Sequence, residues 1–195
     1  MLFRSDVTCE TCPHYLVLTE RDMEMLGAVA KCATPLRSPA GQASLWQSVK
    51  AGQVTTIGSD HSPSPPEMKR GKDFFKVWGG ISGGQHTLPL LLTEWSADLR
   101  SIACLTSFNV AERFKLPKTK GRIAVGADAD LVLVDLNAKF TVRRRDLFYR
   151  HQQSPYVGRA LTGRVVRTIL RGRTIYLNGD IVAKPMGRLV QPMKR

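Results

Sequence analysis

The run Val54-Thr55-Thr56-Ile57-Gly58 is short, apolar and β-branched, and the segment after it, Ser59-Asp60-His61-Ser62-Pro63-Ser64-Pro65-Pro66, carries three prolines. A run of this kind, with no polar alternation, reads as a strand buried on both faces, as in parallel sheets. The prolines force the chain into a loop at the strand's C-terminal end. In α/β barrels that end is where functional side chains stand, and Asp60 occupies it. An aspartate so placed can bind a divalent metal through one oxygen. Its other oxygen can take a proton from water, because the metal lowers the pKa of that water to ~7.

The flanking sequence alternates strand, loop and helix. Residues 6–18 read as a strand running into a loop, interrupted by Pro13. Thr19 to Leu26 reads as a short helix with Thr19 as N-cap. Residues 32–41 read as loop, and Gln42 to Ala51 as a helix closed by Gly52. Gln85 to Leu99 reads as a helix with Pro89 in its first turn and Leu88, Leu91, Leu92 and Trp95 along one face. Thr106 to Phe114 reads as another. Beyond Pro117 the character changes. Residues 131–135, 165–170 and 174–177 read as strands, with a tight hairpin at Arg171-Gly172-Arg173 and a turn at Asn178-Gly179-Asp180. The expected division is therefore 1–116, α/β, and 117–195, β-rich.

Several local patterns are tested and set aside. Asp60, His61 and Ser62 do not make a catalytic triad, because consecutive extended residues point to alternate sides. Cys9-x-x-Cys12-x-His14 has zinc-like spacing, but a structural zinc site wants four ligands and no second paired motif follows. Gly79 to Gly84 spans the interval of a phosphate loop, yet Gln85-His86 stands where Lys-Ser/Thr is needed. Glycines there let the backbone come close to a small ligand or a neighbouring strand. His86 and His151 read as structural.

Length, charge and cysteines narrow the class further. With 195 residues the chain is short of the ~250 of a complete (β/α)₈ barrel. No apolar run approaches the ~20 residues of a membrane span, and no signal peptide precedes Asp6, so a cytoplasmic location is expected. The four cysteines are then expected as thiols. The net charge of +13 has no basic stripe with interleaved aromatics, and its densest cluster, Arg143-Arg144-Arg145, is followed by Asp146. A solvated basic surface is expected, with no nucleic acid or membrane partner.

Taken in order, several segments resemble the cyclic amidohydrolases, the group of dihydroorotases, hydantoinases and allantoinases. Glu10-Thr11-Cys12-Pro13-His14-Tyr15-Leu16 is similar to their strand-seven segment, and Lys31-Cys32-Ala33-Thr34-Pro35-Leu36-Arg37 to the substrate loop after it. Ile57-Gly58-Ser59-Asp60-His61-Ser62-Pro63 resembles strand eight with its metal-binding aspartate. Residues 120–131 are similar to the point where the chain leaves the barrel for a small β-sandwich. Within the group, residues 62–69, 76–83 and 149–158 favour the allantoinase branch.

The resemblance implies an α/β fold: the C-terminal part of a (β/α)₈ TIM-type metallo-hydrolase barrel over 1–116, then strands of the small β-sandwich over 117–195. It implies metal-dependent opening of the hydantoin ring of allantoin to give allantoate, with two zinc ions in the complete site and a homo-oligomeric parent. Asp60 would be metal ligand and proton carrier. Backbone groups around Cys32, Ala33 and Gly80 would hold the ring, and Ser62 would shape the pocket. Dihydroorotase- or hydantoinase-type activity is the alternative, as is a non-catalytic subunit that pairs with another chain. The family's other metal ligands, a His-x-His pair, a carboxylated lysine and two further histidines, lie upstream of these segments, and His14 matches none of them. The expectation is therefore a marginally stable chain that is inactive by itself.

Overall fold

A computed structural model describes residues 7–71, 73–95 and 98–193. The chain packs as two compact units, Met1–Thr87 with Leu147–Val157, and Leu88–Asp146 with Gly158–Arg195.

The first unit is built on a small parallel sheet. Strand β1 (Glu10–Thr11) pairs with β2 (Thr56–Ile57), placing Thr11 beside Ile57. Both residues of β2 are buried, as the unalternated apolar run requires. The strand expected over residues 6–18 is much shorter than that; of its span, Asp6 lies outside the described residues. Pro13 does interrupt it, but by opening a helix, α1 (Pro13–Val17), from the first helical position. The missing N–H of proline costs nothing there. Helix α2 (Glu20–Leu26) follows, with Thr19 as its N-cap. The Asp22 carboxylate accepts from the Thr19 amide at 2.7 Å and from its hydroxyl at 2.8 Å. Helix α3 (Pro39–Lys50) begins three residues before the expected Gln42, because Ser38 caps it and Pro39 sits in its first turn. Trp46 Nε1 and Gln42 Nε2 of α3 donate to the carbonyls of Leu16 and Leu18, at 2.9 and 3.0 Å. Those bonds hold α3 beside α1 over a core that includes Leu16, Leu18, Ala30 and Ile57.

In the second unit, helix α4 (Thr87–Trp95) buries Leu90, Leu91 and Leu92. It ends earlier than the expected Leu99; residues 96 and 97 lie outside the described set. Asp98 then starts a new helix, its carboxylate accepting from the Ser101 amide at 2.9 Å. Helix α5 (Leu99–Ala103) runs through a π turn, Cys104–Phe108, into α6 (Asn109–Arg113). A four-stranded antiparallel sheet completes the unit, in the order β3 (Leu131–Thr141), β4 (Ala160–Leu170), β5 (Arg173–Leu177), β6 (Asp180–Ile181). Arg171 and Gly172 both have positive φ, 47° and 80°, as do Asn178 and Gly179 at 50° and 115°. These are the left-handed residues that two-residue hairpins need. No helix among the described residues is long and apolar enough to cross a membrane.

Candidate functional site

The β1–β2 pairing brings two strand exits side by side, and the chemistry gathers there. Cys12 follows β1, and the proline-led start of α1 turns His14 into the interior at 1% exposure. Asp60 follows β2 with its side chain 55% exposed and its backbone left-handed, φ 42°. His14 Nε2 lies 3.8 Å from Asp60 Oδ2. One donor atom from each of Cys12, His14 and Asp60 falls within 4.8 Å of the others. Glu10 borders this group. Its carboxylate accepts from the Thr56 hydroxyl at 2.9 Å, and a Cβ on Gly58 would fall 2.9 Å from Glu10 Oε1.

Burial dominates the electrostatics here, with the nearby carboxylates as the second influence. Burial pushes the Cys12 thiol up to about 12, and the charges of Asp60 and Glu10 push the same way. Burial lowers the His14 imidazole against the pull of Asp60. Among the described residues neither ring nitrogen of His14 has a hydrogen-bond partner, which is costly for a buried polar group. A thiol, an imidazole and a carboxylate together fit a divalent ion of the zinc class.

The other expected residues converge on one loop. Gly79 lies against the segment Cys32-Ala33: a Cβ on Gly79 would stand 3.2 Å from Ala33 Cβ. Gly80 lies against Ser62, with a Cβ there only 2.4 Å from Ser62 Oγ and 2.7 Å from its carbonyl oxygen. Glycine is thus required at position 80 for the backbones to approach. The Ser62 amide donates to the Ile81 carbonyl at 2.9 Å, and Trp78 Nε1 donates to the Ser62 carbonyl at 3.3 Å. Cys32 is buried and Ala33 exposed. The Cys32 thiol donates to the Thr34 carbonyl at 3.0 Å, which also accepts from Tyr15 Oη at 2.8 Å. Burial raises the Cys32 thiol first, and Asp60 raises it further. The carboxylate and the Cys32 loop therefore share one local field.

Asp60, His61 and Ser62 diverge, but not by simple strand alternation, since Asp60 is left-handed at φ 42°. Asp60 faces His14 and Ser62 faces Gly80. His61 Nδ1 accepts from the amides of Gly83 and Gly84 at 3.2 and 3.3 Å, and its ring lies 4.8 Å from that of Tyr149. The segment Leu147–Val157 braces the same loop. Tyr149 Oη accepts from the Gln85 amide at 2.8 Å, the Ser154 hydroxyl donates to the Ser82 carbonyl at 2.8 Å, and Gln153 Nε2 donates to the Ser64 carbonyl at 2.6 Å. His86 ends the 3-10 turn that leads into α4. It is buried against Tyr149 and Tyr156, and burial lowers it to about 4.

Sequence reasoning set Cys12 and His14 aside as ligands because their spacing lacked a second paired motif. Strand pairing, rather than spacing, brings one atom of each within 4.8 Å of an Asp60 carboxylate oxygen. Sequence reasoning also passed over two lysines. Lys31 Nζ donates to the carbonyls of Phe74 and Val77, tying down the segment that leads to Gly79. Lys69 Nζ donates to the Lys31 carbonyl at 3.1 Å, and burial lowers its amine to about 8. Backbone carbonyl partners of this kind are invisible in a residue pattern.

Comparison with known proteins agrees on one family. Residues 3–175 match the Amidohydrolase family. Allantoinases from Deinococcus radiodurans and Rubrobacter xylanophilus are each 53% identical to the chain, over 96% and 97% of it. The chain spans 42% of the length of each. Among solved structures, an L-hydantoinase (dihydropyrimidinase) from Arthrobacter aurescens superposes with a TM-score of 0.88 at 33% identity, covering 92% of this chain and 41% of its own. A dihydropyrimidinase from Brevibacillus agri gives 0.84 at 33% identity, over 90% of this chain and 40% of its own.

Proposed function

The chain belongs to the amidohydrolase family, and from that premise we propose that it forms the C-terminal part of an allantoinase, a hydrolase that opens the hydantoin ring of allantoin to give allantoate. Its fold is α/β, that of the C-terminal part of a TIM-barrel metallohydrolase. We assign residues 1–116 to the barrel and 117–195 to the small β-sandwich. The observation that carries the substrate reading is identity. The chain is 53% identical to allantoinases over nearly its whole length, against 33% for the hydantoinase and dihydropyrimidinase neighbours.

The roles follow from the family resemblance, and the geometry is compatible with them. Zinc, two ions in the complete family site, would supply polarisation of the ring carbonyl when bound. Asp60 sits where its carboxylate can hold metal through one oxygen and carry a proton through the other, from the attacking water to the departing amide nitrogen. The backbone around Cys32, Ala33 and Gly80 would hold the ring's carbonyl and N–H groups, and Ser62 would set the spacing of that wall through its contact with Gly80. Assembly of the parent as a homo-oligomer is part of the same proposal.

A chimera tests it. The N-terminal portion of the Deinococcus radiodurans relative is joined to this chain and assayed on allantoin, 5-substituted hydantoins, dihydrouracil and dihydroorotate. Allantoin is expected to be the preferred substrate, and Asp60→Asn is expected to lower its turnover by about 10²–10⁴-fold. Faster turnover of a hydantoin or a dihydropyrimidine would transfer the assignment to those branches.

A further inference from the structure

We propose that Lys69 and Lys31 form a two-lysine staple that fixes the spacing between the segments Cys32-Ala33 and Gly79-Gly80, and that Lys69 is thereby a positioning residue for ring binding. The proposal rests on the function argued above in one respect, that the backbone of these two segments holds the ring. It takes nothing from Asp60 or from a metal.

Lys31 is gripped at both ends. Its carbonyl accepts from Lys69 Nζ at 3.1 Å. Its own Nζ donates to the carbonyls of Phe74 at 2.5 Å and Val77 at 2.6 Å, and stands 5.1 Å from the centre of the Phe74 ring. Lys69 ends a 3-10 turn, Pro66–Lys69. One residue back, the Met68 carbonyl accepts from the Trp78 amide at 2.9 Å, which closes the loop between them at its neck. Segment 68–78 is thus tied to itself at the neck and to Lys31 at both sides. The tied ends run directly into the facing segments, because Cys32 follows Lys31 and Gly79 follows Trp78. An added Cβ on Gly79 would stand 3.2 Å from Ala33 Cβ, so the two backbones meet with no slack.

The staple depends on charge. A hydrogen bond from an ammonium is roughly twice as strong as one from a neutral donor. An ammonium drawn partly out of water must regain in such bonds what it loses in hydration. Lys69 is in that position: burial lowers its amine to about 8, while Cys32 raises it and Lys31 lowers it by lesser amounts. Its grip on the Lys31 carbonyl is therefore full near neutral pH and weakens as the pH rises through 8. A guanidinium in its place would stay charged over that whole range. A lysine that served only solubility would leave ring binding untouched when removed. One that touched the reacting atoms would lower kcat. A positioning lysine acts on KM, because a wall that holds the ring alike in ground state and transition state contributes uniform binding.

The test has two arms. The first is kinetic, in the chimera described above, on whichever of its substrates is turned over. Lys69→Met keeps the aliphatic stem and removes the charge. It should raise KM roughly tenfold, as loss of one charge-assisted hydrogen bond would, and leave kcat within about twofold. With Lys69 in place KM should rise as the pH passes 8. Lys69→Arg should keep the low KM and hold it flat to about pH 9. The second arm is amide hydrogen exchange on the full chain without substrate. In Lys69→Met the bonded amides of Lys31, Ser62 and Trp78 should exchange at least about fivefold faster, while those of α3 keep their rates. An unchanged KM, a fall in kcat at constant KM, or exchange that quickens uniformly or not at all would overturn the proposal. Should Lys69→Met fail to fold, the pH profiles with lysine and with arginine decide. Preference for a hydantoin over allantoin sinks only the substrate assignment, and the staple is judged on that hydantoin. If the chimera turns over nothing, the exchange arm decides alone.

Discussion

Gly80 and His86 show how differently single residues constrain this molecule. Gly80 is fixed by space, since the Ser62 backbone leaves no room for a Cβ. His86 is fixed by dielectric. Burial lowers its pKa from 6.5 to about 4, so between those values the unfolded chain binds the proton that the folded chain refuses. Stability should therefore be intact above pH 6.5 and fall as the pH drops toward 4, by roughly 3 kcal/mol at most from this residue. His14, also lowered by burial, acts with the same sign and leaves a residual slope. Urea midpoints at pH 7 and pH 4.5 should differ less in His86→Leu than in the unaltered chain, and equal differences would refute the account. At this scale the family resemblance pointed to Asp60, Cys32, Ala33, Ser62 and Gly80, whose roles belong to the proposal above. The His14–Asp60 approach was not legible there, because it is made by pairing two strands far apart in sequence, which no local spacing records.

At the scale of elements, most of the alternation was readable, and the misreadings share one cause. Pro13 and Pro39 each open a helix, where the sequence reading treated the first as an interruption and the second as loop. Proline marks a boundary without saying which side is helical. The hairpins were plain, because Arg171-Gly172 and Asn178-Gly179 are turn pairs that accept positive φ. Two glycines of the sheet separate conformation from space. At Gly172, φ is 80° and an added Cβ meets nothing within 4 Å, so Gly172→Ala should cost only the left-handed penalty, about 1–2 kcal/mol. At Gly163, φ is 88° and the Cβ would fall 2.7 Å from Leu92 Cδ1 and 2.9 Å from Leu92 Cβ. Gly163→Ala should cost a further 1–3 kcal/mol or so from overpacking. Equal losses in thermal or denaturant unfolding would contradict this reading.

For the molecule as a whole, the first unit is discontinuous: Leu147–Val157 belongs with Met1–Thr87 although residues 88–146 intervene. No periodicity announces that return. The segment is too short and polar to stand out as an element, and its role appears only in the bonds to Ser64, Ser82 and Gln85. Tyr156, fully buried, is its anchor, and Tyr156→Ala should destabilise by about 3–5 kcal/mol, as for other large aromatic truncations. Hydrogen exchange should then quicken first at the amides of Gly83 to Gln85, whereas uniform acceleration across the chain would speak against an anchoring role. The same discontinuity sets a schedule for synthesis. A ribosome that has just added residue 87 must add 70 more, the difference between 157 and 87, before the unit's last strip of chain exists. At ~5–20 residues per second that is a wait of roughly 4–14 s. During it the loop carrying Gly80 lacks its brace, and the nascent chain depends on whatever shelters unfinished surfaces in the cell.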